Sequence, residues 1–381
     1  MDADSVTREI AEDKRREAES LASLPAKSIS GYDVNKVSSL SDLDFTDINF
    51  DVSTGDAFMR GLQVSLTEES PALVSIPEGV MNDVEYVMNK TISVSASKDN
   101  REAPVGALGM KACDSFFLDA CGCQFRVQKI YTINGESFTL RRTRQPPRLI
   151  KIRGMLPTAR QAIDVIGQGG SSGSIIVLCG KTGAGKSTTA LSILQEFLIV
   201  HGDIGVTIEE PVETIMPKWY GRNNHGRLYQ QQVANSDYAG AIKVSMRETP
   251  RWLMIGEVRD RESAIQAIQA SINGHTVLVT VHAGDVLEGL QRILSLASNG
   301  GTDRAMAQTF ATGIAAVIHQ KLCSNIGVEG RFVEQSCLFF GREDGGLRNL
   351  IYEAPQQLRS TIEQQGILMR QNKMPTKFGY V

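Results

Sequence analysis

The chain has 381 residues, a formal net charge of −3 and a hydrophobic fraction of 41%. That is material for two or three domains with sizeable cores, and it supplies no basic field, so direct nucleic-acid binding is not expected. No apolar run approaches the roughly 18 residues of a membrane helix, and Met1-Asp2-Ala3-Asp4 opens no signal-peptide core, so direct membrane insertion is not expected either.

Residues 1–29 form a polar arm around the charged block Glu12-Asp13-Lys14-Arg15-Arg16-Glu17. Such a block reads as a solvated helix or frayed tail, with a partner-docking arm as the sharper alternative. Residues 30–143 read as a small α+β domain. Asp47-Ile48-Asn49-Phe50 and Thr91-Ile92-Ser93-Val94-Ser95 alternate as strands do, and Phe125 to Leu140 reads as a hairpin turning at Asn134-Gly135. The six cysteines are scattered, and Cys121-Gly122-Cys123 lacks the second pair of a zinc site, so reduced cytoplasmic thiols are expected. Residues 144–155 open on Arg144-Gln145-Pro146-Pro147 and read as a linker, since proline continues neither a helix nor a central strand.

From residue 156 to 381 strands and helices alternate, which implies an α/β domain with a mainly parallel sheet covered on both faces. Its clearest feature is Gly180-Lys181-Thr182-Gly183-Ala184-Gly185-Lys186-Ser187, which fits the phosphate-binding pattern G-x-x-x-x-G-K-[ST]. The apolar run Ile175 to Cys179 precedes it as a buried strand. Lys186 to Val200 follows with Leu191, Ile193, Leu194, Phe197 and Leu198 at helical spacing. Strand, glycine loop and helix in that order aim backbone N–H groups and a helix N-terminus at a phosphate. Gly180, Thr182, Gly183, Ala184, Gly185, Lys186, Ser187 and Thr188 are therefore the expected binding set for ATP. Lys186 would reach the β- and γ-phosphates, Ser187 would ligate Mg²⁺, and Thr188 would add a contact to the α-phosphate.

Further strands are expected at 204–208, 252–256 and 277–281. The first ends at Glu209 and Glu210 and the second at Glu257, at the strand ends that face a ligand in parallel sheets. One acid should hold the Mg²⁺ shell and another should orient the attacking water or take its proton. The third strand is flanked by His275 and His282. A straight strand separates them by roughly 23 Å, so they cannot share a metal ion. His282 lies at the ligand-facing end, where it could sense the γ-phosphate or contact the acids. His275 at the other end reads as structural.

These boxes in this order resemble the secretion and pilus ATPases of the PilT/GspE type. The phosphate loop is followed by Thr207 to Glu213 (the family's "Asp box"), Ile255 to Asp260 (a glutamate-ending Walker B) and Gly274 to His282 (its "His box"). Thr46 to Phe50 and Gly346 to Ile351 look like its N-terminal and C-terminal elements. The resemblance covers about residues 40–360. It implies a RecA-like P-loop ATPase domain behind a smaller PAS-like N-terminal domain, assembled as a homo-hexamer. Glu209 would be the general base, with Glu257 at the Mg²⁺ and water. Arg126 and Arg142 of the N-terminal domain would reach phosphates. The nearest branch is that of type IVB secretion and plasmid conjugation. It implies a cytoplasmic motor recruited to the inner membrane by secretion-system proteins. A nucleotide-dependent docking switch and a pilus retraction motor are the alternatives. No tetracysteine zinc element is present, which points away from the type II and pilus-extension branch.

Overall fold

The computed structural model describes residues 37–43, 45–62, 73–99, 115–133, 135–169, 173–233, 236–298, 304–324, 331–341 and 343–378. The polar arm and Asn134 lie outside them. The chain folds as two compact units, and the described residues carry two sheets.

The first sheet has six strands. They are β1 (Asp47–Asp51), β2 (Ala57–Arg60), β3 (Leu73–Ser75), β4 (Ser115–Ala120), β5 (Cys123–Thr132) and β6 (Gly135–Thr143), in the order β3-β2-β1-β6-β5-β4. Cys123, Phe125 and Val127 are buried while their β5 neighbours are not, the period-2 signature of a sheet with one face in a core. Phe50 stacks on Phe138 with centroids 5.2 Å apart. Thr91 to Ser95 is not a strand. It lies inside helix α1 (Met81–Asp99). Val84, Val87, Thr91 and Ser95 are all buried, a spacing of three, four and four that only a helix places on one side. The Thr91 hydroxyl donates to the Val87 carbonyl at 2.7 Å, so its polar atom is satisfied within the helix.

The second sheet has eight strands in the order β14-β13-β7-β12-β11-β8-β10-β9. In chain order the elements are α2 (Pro157–Gln168), β7 (Ser174–Cys179), α3 (Lys186–Val200), β8 (Asp203–Glu209), β9 (Trp219–Tyr220), β10 (Gly226–Gln232), α4 (Tyr238–Met246), β11 (Trp252–Ile255), α5 (Arg261–Ile272), β12 (Thr276–Val281), α6 (Val286–Ala297), α7 (Arg304–Gly313), β13 (Ile314–Ser324), β14 (Arg331–Phe339), α8 (Gly345–Glu353) and α9 (Leu358–Arg370). The six strands from β13 to β10 run parallel, and β14 and β9 close the ends antiparallel.

The apolar runs are continuous because both faces are covered. Ile175, Val177 and Cys179 of β7 face one core, with Ala264 and Ile268 of α5 and Leu290 of α6. Ile176 and Leu178 face the other, with Leu191, Leu194 and Phe197 of α3. Trp252 is fully buried there, 4.8 Å from the Phe197 ring, with its indole N–H donated to the Gly202 carbonyl at 2.8 Å. Burial of each large side chain contributes about 1.5–3 kcal/mol. This two-sided packing fixes the C-terminal ends of β7, β8, β11 and β12, where the site residues sit.

Candidate active site

The phosphate loop runs from β7 directly into α3. Gly183 and Gly185 have φ of +77° and +79°, in the left-handed region that favours glycine. At Gly180 a Cβ would come 2.4 Å from the Gln320 carbonyl oxygen of β13, so no larger residue fits. Lys186 is 8% exposed and donates to the loop carbonyls of Gly180 and Lys181 at 2.9 and 3.0 Å. Burial lowers its pKa from the usual lysine value, with the charge of Glu257 acting against that shift. The ammonium group is thus held inside the loop, within electrostatic reach of Glu257. Ser187 is partly and Thr188 largely exposed at the first turn of α3, where orphan N–H groups favour an anion. Thr182 is exposed in the loop and Ala184 buried beneath it.

Glu209 is the last residue of β8 and is 4% exposed. Thr207, two residues earlier on the same face, donates its hydroxyl to Glu209 Oε1 at 2.6 Å. Gln230, in register with Thr207 on β10, donates its amide to the same oxygen at 3.3 Å. Burial raises the Glu209 pKa above the ordinary carboxylate value, while these two hydrogen bonds work the other way. A buried carboxyl held by neutral donors and raised in pKa is the condition of a general base.

Glu257 lies two residues past β11. Its side chain is 18% exposed and meets other partners, with Arg259 Nη2 at 2.5 Å and His282 Nε2 at 3.4 Å. The strand end beneath it is pinned. Gly256 N–H donates to the Ile208 carbonyl at 2.8 Å and Val258 N–H to the Thr280 carbonyl at 3.0 Å. The Thr280 hydroxyl donates to the Gly256 carbonyl. The two acids share a neighbourhood. Burial, then the charges of Glu210, Glu257 and Glu209, push the Tyr238 hydroxyl up to about 12, with Arg259 opposing. Asp260, beside this acid, is the N-cap of α5, its side chain accepting from Ser263 N–H.

His282 therefore meets Glu257, while His275 sits at the other end of β12 with its ring against the Pro250 carbonyl. Arg126 lies on β5 and Arg142 on β6, neighbouring strands of the six-stranded sheet. Two glutamines carry much of the site and have no motif of their own. Gln320 of β13 is 1% exposed. Its amide donates to the Ala184 carbonyl at 2.6 Å and its oxygen accepts from the Thr189 hydroxyl at 2.8 Å, clamping the loop to the first turns of α3. Gln230 does the corresponding work at Glu209. Among the described residues no group of three or more His, Cys, Asp or Glu could hold a metal ion. One hydroxyl and a carboxylate, both hard oxygen donors, nevertheless fit Mg²⁺, which takes few protein ligands and completes its shell with phosphate and water.

A parallel sheet, a glycine loop leading into a helix, and acids on adjacent strand ends define a P-loop nucleotide-binding domain of the RecA-like type. The family of Type II/IV secretion system proteins matches residues 116–379, and the chain belongs to that family. It is 29% identical over 225 residues to the type II secretion system protein HxcR of Pseudomonas aeruginosa, covering 58% of this chain and 43% of that one. It is 32% identical over 137 residues to the competence protein ComGA of Halalkalibacterium halodurans, covering 36% and 38%. The chain thus spans less than half the length of these curated relatives. Among solved structures it resembles the pilus retraction motor PilT with bound ADP, at a TM-score of 0.62 and 20% identity over 86% of this chain and 90% of that one. The ATPase DotB of Legionella pneumophila superposes with a TM-score of 0.55 at 22% identity over 86% and 84%. At these identities the likeness establishes the fold.

Proposed function

We propose that this chain binds ATP with Mg²⁺ and hydrolyses it, and that a homo-hexamer of it drives a secretion machine. The observation that carries this reading is the convergence of Lys186, Glu257 and Glu209 at the ends of three strands of one parallel sheet. One carboxyl there is buried among neutral donors and the other is paired with Arg259 and His282. Lys186 would leave the loop carbonyls for the β- and γ-phosphate oxygens. The N-terminus of α3 would hold the phosphates through its backbone N–H groups. Ser187 and Glu257 would hold Mg²⁺, which supplies charge neutralisation on the phosphates. Glu209 would orient the attacking water and take its proton. His282, on Glu257, would report the γ-phosphate to β12.

The test is phosphate release by the full chain with ATP and Mg²⁺ and no acceptor substrate. Turnover that Lys186→Ala abolishes supports the reading, and turnover that needs an acceptor would replace it with a kinase. Specific activity should rise with protein concentration and fall on mutating Arg126 or Arg142, if these reach nucleotide held by a neighbour. Constant activity down to concentrations where sedimentation finds only monomer would remove the intersubunit site.

The finer reading places the hexamer in a type IVB-like secretion or conjugation machine, at the cytoplasmic face of the inner membrane. It is supported by the sequence of boxes from Thr207 to His282. Among the described residues no helix is long and apolar enough to cross a membrane, so recruitment would go through partner proteins. The chain should enter the membrane fraction only when the rest of its secretion system is present. Membrane binding in cells lacking that system would remove partner-mediated recruitment.

A further inference from the structure

Residues 210–218 follow Glu209 and contain no helix or strand. Their position depends on bonds made by side chains and flanking segments. Gln230 supplies two of these bonds and a third to Glu209. Its amide oxygen accepts from the Met216 backbone N–H at 2.7 Å. Its amide nitrogen donates to the Thr214 carbonyl at 3.0 Å and to Glu209 Oε1 at 3.3 Å. Met216 N–H can only donate and the Thr214 carbonyl can only accept, so the amide has one possible orientation. The far side of the same loop is held by the segment after β6. The Thr214 hydroxyl donates to the Arg144 carbonyl at 3.4 Å, and the Gln145 side chain donates to the Ile215 carbonyl. A continuous hydrogen-bonded path therefore runs from Arg144-Gln145 through residues 214–216 and Gln230 to the Glu209 carboxylate.

We infer that Gln230 is a positioning residue that orients Glu209, and that the Arg144-Gln145 segment sets that orientation through the 214–216 loop. The inference rests on the reading of Glu209 as the base. Thr207 and Gln230 both bond to Oε1 of that carboxylate, and the Glu213 backbone N–H also donates to the group. Losing Gln230 removes one of these three restraints on its last torsion. Misplacement of a reacting group by about 1 Å lowers rate by as much as 10²-fold. The loop's backbone bond to β10 is at its far end, where the Lys218 carbonyl accepts from the Leu228 N–H at 2.9 Å, so displacement of Arg144 and Gln145 bears on residues 214–216 and through them on Gln230. ATP affinity is set elsewhere, at the phosphate loop, and is left alone. Hydrolysis is thereby gated by the linker without any change in nucleotide binding.

The experiment uses the full chain and four variants: Gln230→Met, Gln145→Ala, the two combined, and Glu209→Gln. Phosphate release gives kcat and KM, and a fluorescent ATP analogue gives affinity. Gln230→Met should lower kcat by about 10- to 100-fold with affinity unchanged. Gln145→Ala should lower kcat by a smaller factor. The combined variant should be no worse than Gln230→Met alone, because both act through one path. Gln145 is exposed, so its truncation leaves folding intact even where Gln230→Met does not fold. Three results would overturn the inference: kcat and affinity falling together in Gln230→Met, the two single effects multiplying in the combined variant, or wild-type kcat in Gln145→Ala. Full turnover in Glu209→Gln would remove the base assignment itself. An inactive Glu209→Gln beside a normal Gln230→Met would remove only the positioning role.

Discussion

The ends of β8 and β11 lie next to each other in the sheet, and each carries a glutamate. Glu209 is buried on the hydroxyl of Thr207 and the amide of Gln230, neutral donors that leave its proton affinity dominated by burial. Glu257 is more open and is bracketed by Arg259 and His282, with the ammonium of Lys186 within electrostatic reach. The same side chain at neighbouring strand ends is thus prepared for two tasks. A carboxyl among neutral groups is suited to accept a proton, and a carboxylate among cations is suited to stay charged and hold a metal ion. The surroundings separate the roles, as environments do wherever two acids must act differently in one site.

The largest expected effect falls on the Glu257 side. Lys186→Ala removes a buried cation within electrostatic reach of Glu257, and should abolish measurable nucleotide binding and lower hydrolysis by at least about 10²-fold. Near-normal phosphate release in that variant would break the assignment of the loop. Glu257→Gln sharpens the comparison at intermediate scale. It should shift the Mg²⁺ dependence of turnover to higher concentration, measured by titrating Mg²⁺ at fixed ATP. An unchanged Mg²⁺ midpoint would take the metal role away from it.

The smallest effect is on stability, and its sign separates the acids. A carboxyl whose pKa is raised on folding binds its proton more tightly in the folded state. Stability therefore falls as pH rises from the ordinary carboxylate value through the raised one. Above that window Glu209 destabilises the fold, and Glu209→Gln should raise the melting temperature. The gain should vanish as pH falls below the window, where the wild-type carboxyl is neutral. Glu257→Gln loses the ion pair with the exposed Arg259, the charge facing His282 and the charge near Lys186, and should not raise it. Calorimetry of both variants across pH distinguishes the two patterns.

Much of this site is legible in the sequence, for physical reasons. β7, the loop and α3 appear where an apolar run, glycines and a 3.6-residue period predict them, because two-sided burial leaves continuous apolar strands and α3 packs on one face. The acids are visible because they stop apolar strands. Thr91 to Ser95 misleads because five residues of alternating size fit a strand, while the i, i+4 burial of Thr91 and Ser95 emerges only in the longer window from Val84. Gln230 and Gln320 are invisible for another reason. Gln320 meets the phosphate loop across 136 residues of sequence and Gln230 meets Glu209 across 21, and neither Gln320 nor the run Gln230-Gln231-Gln232 forms a binding motif. Only strand order brings them to the site.

The most direct test of the division between the two acids is a single-turnover measurement of phosphate release, with ATP and Mg²⁺ prebound, on the wild type, Glu209→Gln and Glu257→Gln. Glu209→Gln should retain ATP with wild-type affinity and release phosphate about 10²- to 10⁴-fold more slowly at every Mg²⁺ concentration. Glu257→Gln should recover part of its rate as Mg²⁺ is raised. Full turnover in Glu209→Gln, with a loss in Glu257→Gln that Mg²⁺ does not relieve, would reverse the roles and contradict the account.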